Sequence, residues 1–214
     1  MGIPLELPSL HVEGEDDCHS IIHLLIRHGV PFAQDKRCVD VRNQRNDEGV
    51  LESMDIAIRA GTNQAVGFVL DADVLIEDRW KQVCHRLRRF GLDLPKAPPP
   101  DGYIADVPEF RSRMGVWIMP DNVLDCGKLE DLLRTLVPKD DTLIAHAEES
   151  TDVAKAKGAT FTDNDRIKAI LHAWLAWQQQ PGRPFGTAIN AKFFEHDSAV
   201  ALRFVAWFKQ LFRL

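Results

Sequence analysis

Only one tyrosine, Tyr103, occurs in the chain, and its four cysteines, Cys18, Cys38, Cys84 and Cys126, are scattered without a close pair. That spacing excludes the paired thiolates that build zinc sites, and reduced structural thiols are expected. No apolar run approaches the roughly 18–20 residues that cross a bilayer. The N-terminus also lacks the basic region followed by an apolar one that marks a secretory leader. A cytoplasmic location with no membrane partner is the expectation. An excess of positive charge is missing as well: the formal net charge of -6 argues against a generic nucleic-acid coat protein, although local basic faces count for more than the total. There is no P-loop, no Gly-x-Ser-x-Gly elbow and no Gly-x-Gly-x-x-Gly fingerprint, which removes the commonest chemistries of α/β chains. His19 and His23 share a helix face, but without a Glu after the first or a visible third ligand they read as structural histidines.

What is present is an alternation of short apolar runs and amphipathic stretches. Ser9 to Val12 reads as a strand. Gly14 supplies a turn, and Ile21, Ile22, Leu24, Leu25 and Ile26 follow at helical intervals in a helix near Asp16 to His28. Arg37 to Val41 is a second strand, and Leu51, Met54, Ile56, Ile58 and Ala60 mark a second helix that Gly61 ends. Val66 to Leu70 is a buried strand, and Glu77 to Phe90 a third helix stopped by Gly91. This is the signature of an α/β fold with a mainly parallel central sheet flanked by helices. The Pro98-Pro99-Pro100 run is a stiff surface connection. Tyr103 to Asp106 and Met114 to Met119 are expected to pair as an antiparallel hairpin at the sheet edge. From Gly127 the pattern is helical: Leu129 to Leu136, Thr142 to Lys155 with a break or bend near Ser150 and Thr151, Asp165 to Gln179, a short piece over Thr187 to Phe194, and Ser198 to Phe212. The aromatic residues of this tail, Trp174 to Phe212, sit at core spacing. The expected organisation is an α/β domain over residues 1–137 with a C-terminal helical cap, residues 138–214, packed on it.

The chemistry gathers in two stretches. His11-Val12-Glu13-Gly14-Glu15-Asp16-Asp17 places acids where the first strand gives way to a helix, and Gly67-Phe68-Val69-Leu70-Asp71-Ala72-Asp73 ends the third strand in an Asp pair. Ligands of open α/β sheets bind at the carboxyl ends of the strands, and residues two apart on a strand share a face. Glu13, Asp71 and Asp73 are therefore expected to converge. A Glu after the first strand and an Asp-x-Asp after a later one, with a helix, a strand and a second helix between them, resembles the Toprim domain of topoisomerases, primases and OLD-type nucleases. The whole chain also looks like a small stand-alone Toprim-like bacterial family. The resemblance covers the first half to two thirds of the sequence. It implies that Glu13, Asp71 and Asp73 bind Mg2+ or Mn2+ and that Glu13 does acid-base work. As in the OLD-type nucleases, an additional acid after the first Glu would extend the site; Asp17 is the first candidate, with Glu15 and Asp16 behind it.

Acids in the first turn of a helix have a plainer explanation, since they favour the positive end of the helix dipole. The same holds for Glu130 and Asp131, which open a helix after Asp121, Asn122 and Asp125; Glu130 is carried as a further metal candidate and the rest as secondary. Lys192 is a candidate for neutralising charge on a phosphate. The resemblance implies metal-dependent phosphodiester cleavage of nucleic acid, DNA rather than RNA, in defence, repair or mobile-element control. Strand passage would need a nucleophilic tyrosine on a partner domain and priming a zinc module, neither of which is visible. Arg79, Lys81, His85, Arg86, Arg88 and Arg89 form a basic stretch that either tracks a phosphate backbone or is simply solvated; Arg37, Arg42 and Arg45 pose the same choice. Two rivals stand beside the nuclease: a non-catalytic interaction protein, with a protein partner or a second copy of the chain, and an enzyme acting on a small phosphorylated ligand.

Overall fold

The computed structural model describes residues 7–33, 36–61 and 64–214. Five strands, β1 (Ser9–Val12), β2 (Asp40–Asn43), β3 (Ala65–Asp71), β4 (Tyr103–Val107) and β5 (Ser112–Met119), form one sheet in the order β2-β1-β3-β5-β4. β1 pairs parallel with β2 and β3, and β3 with β5; β4 runs antiparallel along β5. The helices are α1 (Glu15–Arg27), α2 (Asp47–Ala60), α3 (Ile76–Leu87), α4 (Leu129–Arg134), α5 (Leu143–Ala156), α6 (Arg166–Ala176), α7 (Phe185–Asn190) and α8 (Ala199–Phe212). The mainly parallel α/β sheet with flanking helices is the architecture the apolar pattern predicts.

Side-chain alternation along the strands divides the interior in two. Val66, Phe68 and Leu70 of β3, with Met114, Val116 and Ile118 of β5, meet α2 and α3. Val69, Trp117 and Met119 face the other way and share one continuous core with α1 and α4 to α8. The C-terminal helices are thus one wall of the domain rather than an appendage. On this side Gly67 and Gly115 stand opposite each other in register. A Cβ on either would fall within 3.0 Å of Leu211 Cδ2 on α8. These two glycines let the last helix lie close against the sheet.

Local signals account for the helix ends. Asn46 accepts a hydrogen bond from the Gly49 amide through its side chain and starts α2, as N-caps do. α3 ends at Leu87, earlier than the pattern predicts; Arg88–Phe90 continue as a 3-10 turn into left-handed Gly91 (φ 64°). The second strand also differs, Asp40–Asn43 in place of Arg37 to Val41, because its register is fixed by pairing Asp40 with Ser9 and Asn43 with Val12. No break occurs in α5, where Thr151 is buried.

Topology singles out one point on the sheet. α1 leaves β1 towards one face, whereas α2 covers the other, so the strand order reverses between β1 and β3. The crevice beyond the carboxyl ends of these two strands is where doubly wound sheets bind ligands.

Candidate functional site

Glu13 follows β1 directly, and its Oε1 accepts a hydrogen bond of 2.8 Å from the backbone N–H of Asp71, the last residue of β3. The pair therefore bridges the two strands at the reversal point. Asp71 Oδ1 in turn accepts from the N–H of Leu129, the first residue of α4, at 3.1 Å. Behind them stand Asp17 on α1 and Glu130 on α4, whose charges act on each other and on Asp71. The β1–α1 junction, the end of β3 and the start of α4 thus bring Glu13, Asp17 and Glu130 within electrostatic range of Asp71.

The cost of this gathering appears in the protonation equilibria. Glu13 is raised to about 7, chiefly by burial; the Asp71 N–H and Arg79 pull against the rise, while Asp17 and Asp73 add to it. Asp17 is likewise raised to about 7 by burial and the repulsion of Glu130. Asp71 is pushed well above the usual carboxylate range by burial, then by Asp17, Glu13 and Glu130. Carboxylates with such shifts carry more negative charge than their surroundings balance, so each favours a proton or another cation.

Two cations border the group. Arg79 is 6% exposed and spends its donors on Asp73 Oδ2 (2.6 Å), Asp47 Oδ2 (2.8 Å), Gln82 Oε1 (3.0 Å) and the Asp71 carbonyl (2.8 Å). Lys168 on α6 reaches Glu130 Oε1 at 3.0 Å and Asp16 Oδ2 at 3.4 Å. Among the described residues, no three histidine, cysteine, aspartate or glutamate side chains are set together as ready-made ligands of one ion. The donor chemistry nevertheless suits a hard divalent cation, which takes oxygen ligands and retains water, because Glu13, Asp17, Asp71 and Glu130 outnumber the two cations, Arg79 and Lys168, that border them.

The expected convergence holds for Glu13 and Asp71 and is altered for Asp73. β3 ends at Asp71, and Asp73 adopts a left-handed backbone (φ 54°) within a bridge to Gly127. The two-residue strand repeat does not reach it, and its carboxylate turns to Arg79. Lys192 is exposed in the turn after α7. The chain then runs to Phe194, whose carbonyl accepts from Arg27 at the far end of α1. Lys168 is the lysine that borders the carboxylates, and nothing local in its amphipathic helix distinguishes it in the sequence. The sequence groups Arg79 with a basic helix face; the structure instead buries it as the tie between Asp73, Asp47 and the end of β3.

Other acids have structural duties. Asp121 accepts from the amides of Val123 and Leu124 and pairs with Arg203 at 3.2 Å. Asp131 accepts from the Lys128 N–H at the start of α4. Glu15 accepts from Asn43 and pairs with His19. Arg37 and Arg42 both pair with Asp40. The cysteines are all free, and no helix among the described residues is long and apolar enough to cross a membrane.

No curated protein and no solved structure matches the chain. A family model described as protein of unknown function, DUF3226, matches residues 8–213, and the chain belongs to that family.

Proposed function

We propose that the protein is a Mg2+- or Mn2+-dependent phosphodiesterase acting on nucleic acid, with DNA as the preferred substrate. One observation carries the reading: Glu13, Asp17, Asp71 and Glu130 are drawn to the strand-order reversal, and burial and mutual repulsion raise Glu13, Asp17 and Asp71. A purely structural edge gains nothing from such repulsion. A divalent ion there would be held by Glu13, Asp71, Asp17 and Glu130, with Asp73 contributing once released from Arg79. Its chemistry would be to offset charge on a phosphate.

The chain's own groups divide the remaining work. Glu13, raised to about 7, can accept or return a proton near neutrality, the range in which a carboxyl is most useful as a general acid or base. Lys168 supplies a cation beside Glu130 that can contact a phosphate oxygen. Arg79 fixes the backbone at the end of β3 and so positions Asp71.

A second reading, a small phosphorylated ligand as substrate, draws on the hollow beside the site, about 170 Å3, lined by Asp73, Asp78 and Arg79 among others. It is too small for a nucleotide and open on one side, which favours a longer substrate lying across it. The third, a non-catalytic interaction scaffold, fits dispersed acids better than gathered ones. The test is cleavage of single- and double-stranded DNA and RNA with Mg2+ or Mn2+. Glu13→Ala and Asp71→Ala should each lower the rate at least a hundredfold, the usual scale for acid-base or electrostatic groups. Undiminished rates in both variants would overturn the assignment.

A further inference from the structure

A second cavity lies at the opposite edge of the sheet. It holds about 710 Å3 between the amino ends of β1, β3 and β5 and the end of α8, within the range of organic-ligand sites. β3 joins the two regions: Ala65 lines the cavity and Asp71 belongs to the carboxylate site, about 20 Å apart at the rise of an extended strand. The cavity is therefore distinct from the carboxylate site and does not depend on the phosphodiesterase reading.

Its charge is of the opposite sign. Arg111, Arg113 and Arg213 line it, with Asp106 as the acid among the lining residues. Asp106 reaches Arg113 only at 3.5 Å, and the Arg113 Nε is buried without a hydrogen-bond partner. Ser112 beside it is 3% exposed, and its hydroxyl is also unpartnered. Among the described residues, no carboxylate pairs with Arg111 or Arg213. Arg111 and Arg213 are exposed; the buried Arg113 Nε and Ser112 hydroxyl, which have no acceptor, are the donors left incomplete, since buried donors normally find acceptors.

The backbone supplies an independent argument. Arg111 ends the 3-10 turn after β4 with φ 51°, and Arg213 ends α8 with φ 57°. Both are left-handed positions that favour glycine. At each the chain instead carries arginine, and both arginines border the same cavity. Leu7, Pro108, Leu211 and Phe212 supply an apolar wall, with Gln64 as a further polar lining residue.

We propose that this cavity binds a small organic phosphate, its phosphoryl group on Arg111, Arg113 and Arg213 and its apolar body against Leu211, Phe212 and Pro108. Guanidinium groups recognise phosphate through paired donors, and the apolar wall selects a ligand with a body over the bare anion.

The test uses calorimetric titration of the full chain with deoxyadenosine 5′-monophosphate, inorganic phosphate, deoxyadenosine and octanoate. The nucleotide should bind at least about tenfold more tightly than either phosphate or the nucleoside, the scale of one charge-assisted hydrogen bond. Arg111→Gly and Arg213→Gly should each weaken nucleotide binding about tenfold without lowering the thermal midpoint, since glycine suits both backbones. Asp71→Asn should leave this binding unchanged, which separates the cavity from the carboxylate site. Nucleotide binding that survives both arginine variants, binding abolished by Asp71→Asn, octanoate binding without nucleotide binding, or no nucleotide binding at millimolar concentration would each overturn the proposal.

Discussion

Arg79 and the raised carboxylates set the properties of the edge at the scale of single side chains. Arg79→Ala removes the donors that hold Asp73, Asp47 and the end of β3 together. The expected loss is about 2–3 kcal/mol in urea denaturation, the scale of hydrogen bonds to charged groups; a change below about 0.5 kcal/mol, the range of ordinary surface substitutions, would contradict that role. The pH response has a definite sign. Glu13 rises from 4.5 to about 7 on folding, and Asp17 from 3.8 to about 7. Between these values the folded state binds more protons than the unfolded one, so stability falls as pH rises through this window. His11 has the opposite effect at the acid end: burial, with Arg42 adding to it, lowers it from 6.5 to about 4, so its contribution is lost as pH falls from 6.5 to 4. Metal-free protein should therefore lose stability from about pH 5 to pH 8, and Glu13→Gln should flatten the slope. An unchanged slope in that variant, followed by denaturation across the pH range, would contradict the assignment. The sequence made the Glu13 and Asp71 positions legible because both lie at predictable strand ends. It gives no sign of the left-handed turn that interrupts the strand repeat at Asp73 and directs its carboxylate to Arg79, nor of Lys168, because only tertiary packing brings α6 to α4.

At the scale of elements, two close approaches position the helical wall. A Cβ on Gly186 of α7 would lie 2.6 Å from His19 Cβ and 2.8 Å from the His19 backbone carbon. Backbone cannot rotate aside, so Gly186→Ala should cost about 1–3 kcal/mol, as overpacking does. Chemical denaturation measures this directly, and an unaffected midpoint would show that α7 does not pack on α1 as described. Gly115→Ala meets the tip of Leu211 instead, an atom that can shift, and should cost less. Helices and strands were readable from apolar spacing, down to the antiparallel β4 and β5. Helix contacts were not, because a glycine in a helix gives no sign of what approaches it.

The whole molecule behaves as one unit if its core does. Leu10 of β1, Trp117 of β5, Trp174 of α6 and Phe208 of α8 belong to one buried cluster, so the expected boundary near residue 137 does not divide the interior. Thermal unfolding followed by tryptophan fluorescence and by circular dichroism should give coincident single transitions. A fragment of residues 1–137 should fail to fold cooperatively, since it would expose the sheet face that α8 covers. Separate transitions, or a cooperatively folding fragment, would show two independent domains. The strand-order reversal is likewise a property of the whole, and it explains why Glu13 and Asp71, 58 residues apart, meet.

Manganese binding by calorimetry at pH 8 tests the carboxylate edge most directly, with the wild type compared against Glu13→Gln and Asp71→Asn. The expected result is saturable binding to the wild type and at least a tenfold loss in each variant, as removal of a charged ligand at a hard-cation site requires. Wild-type protein that takes up no manganese, or variants that bind it as well as the wild type does, would contradict the assignment of these carboxylates to a divalent cation.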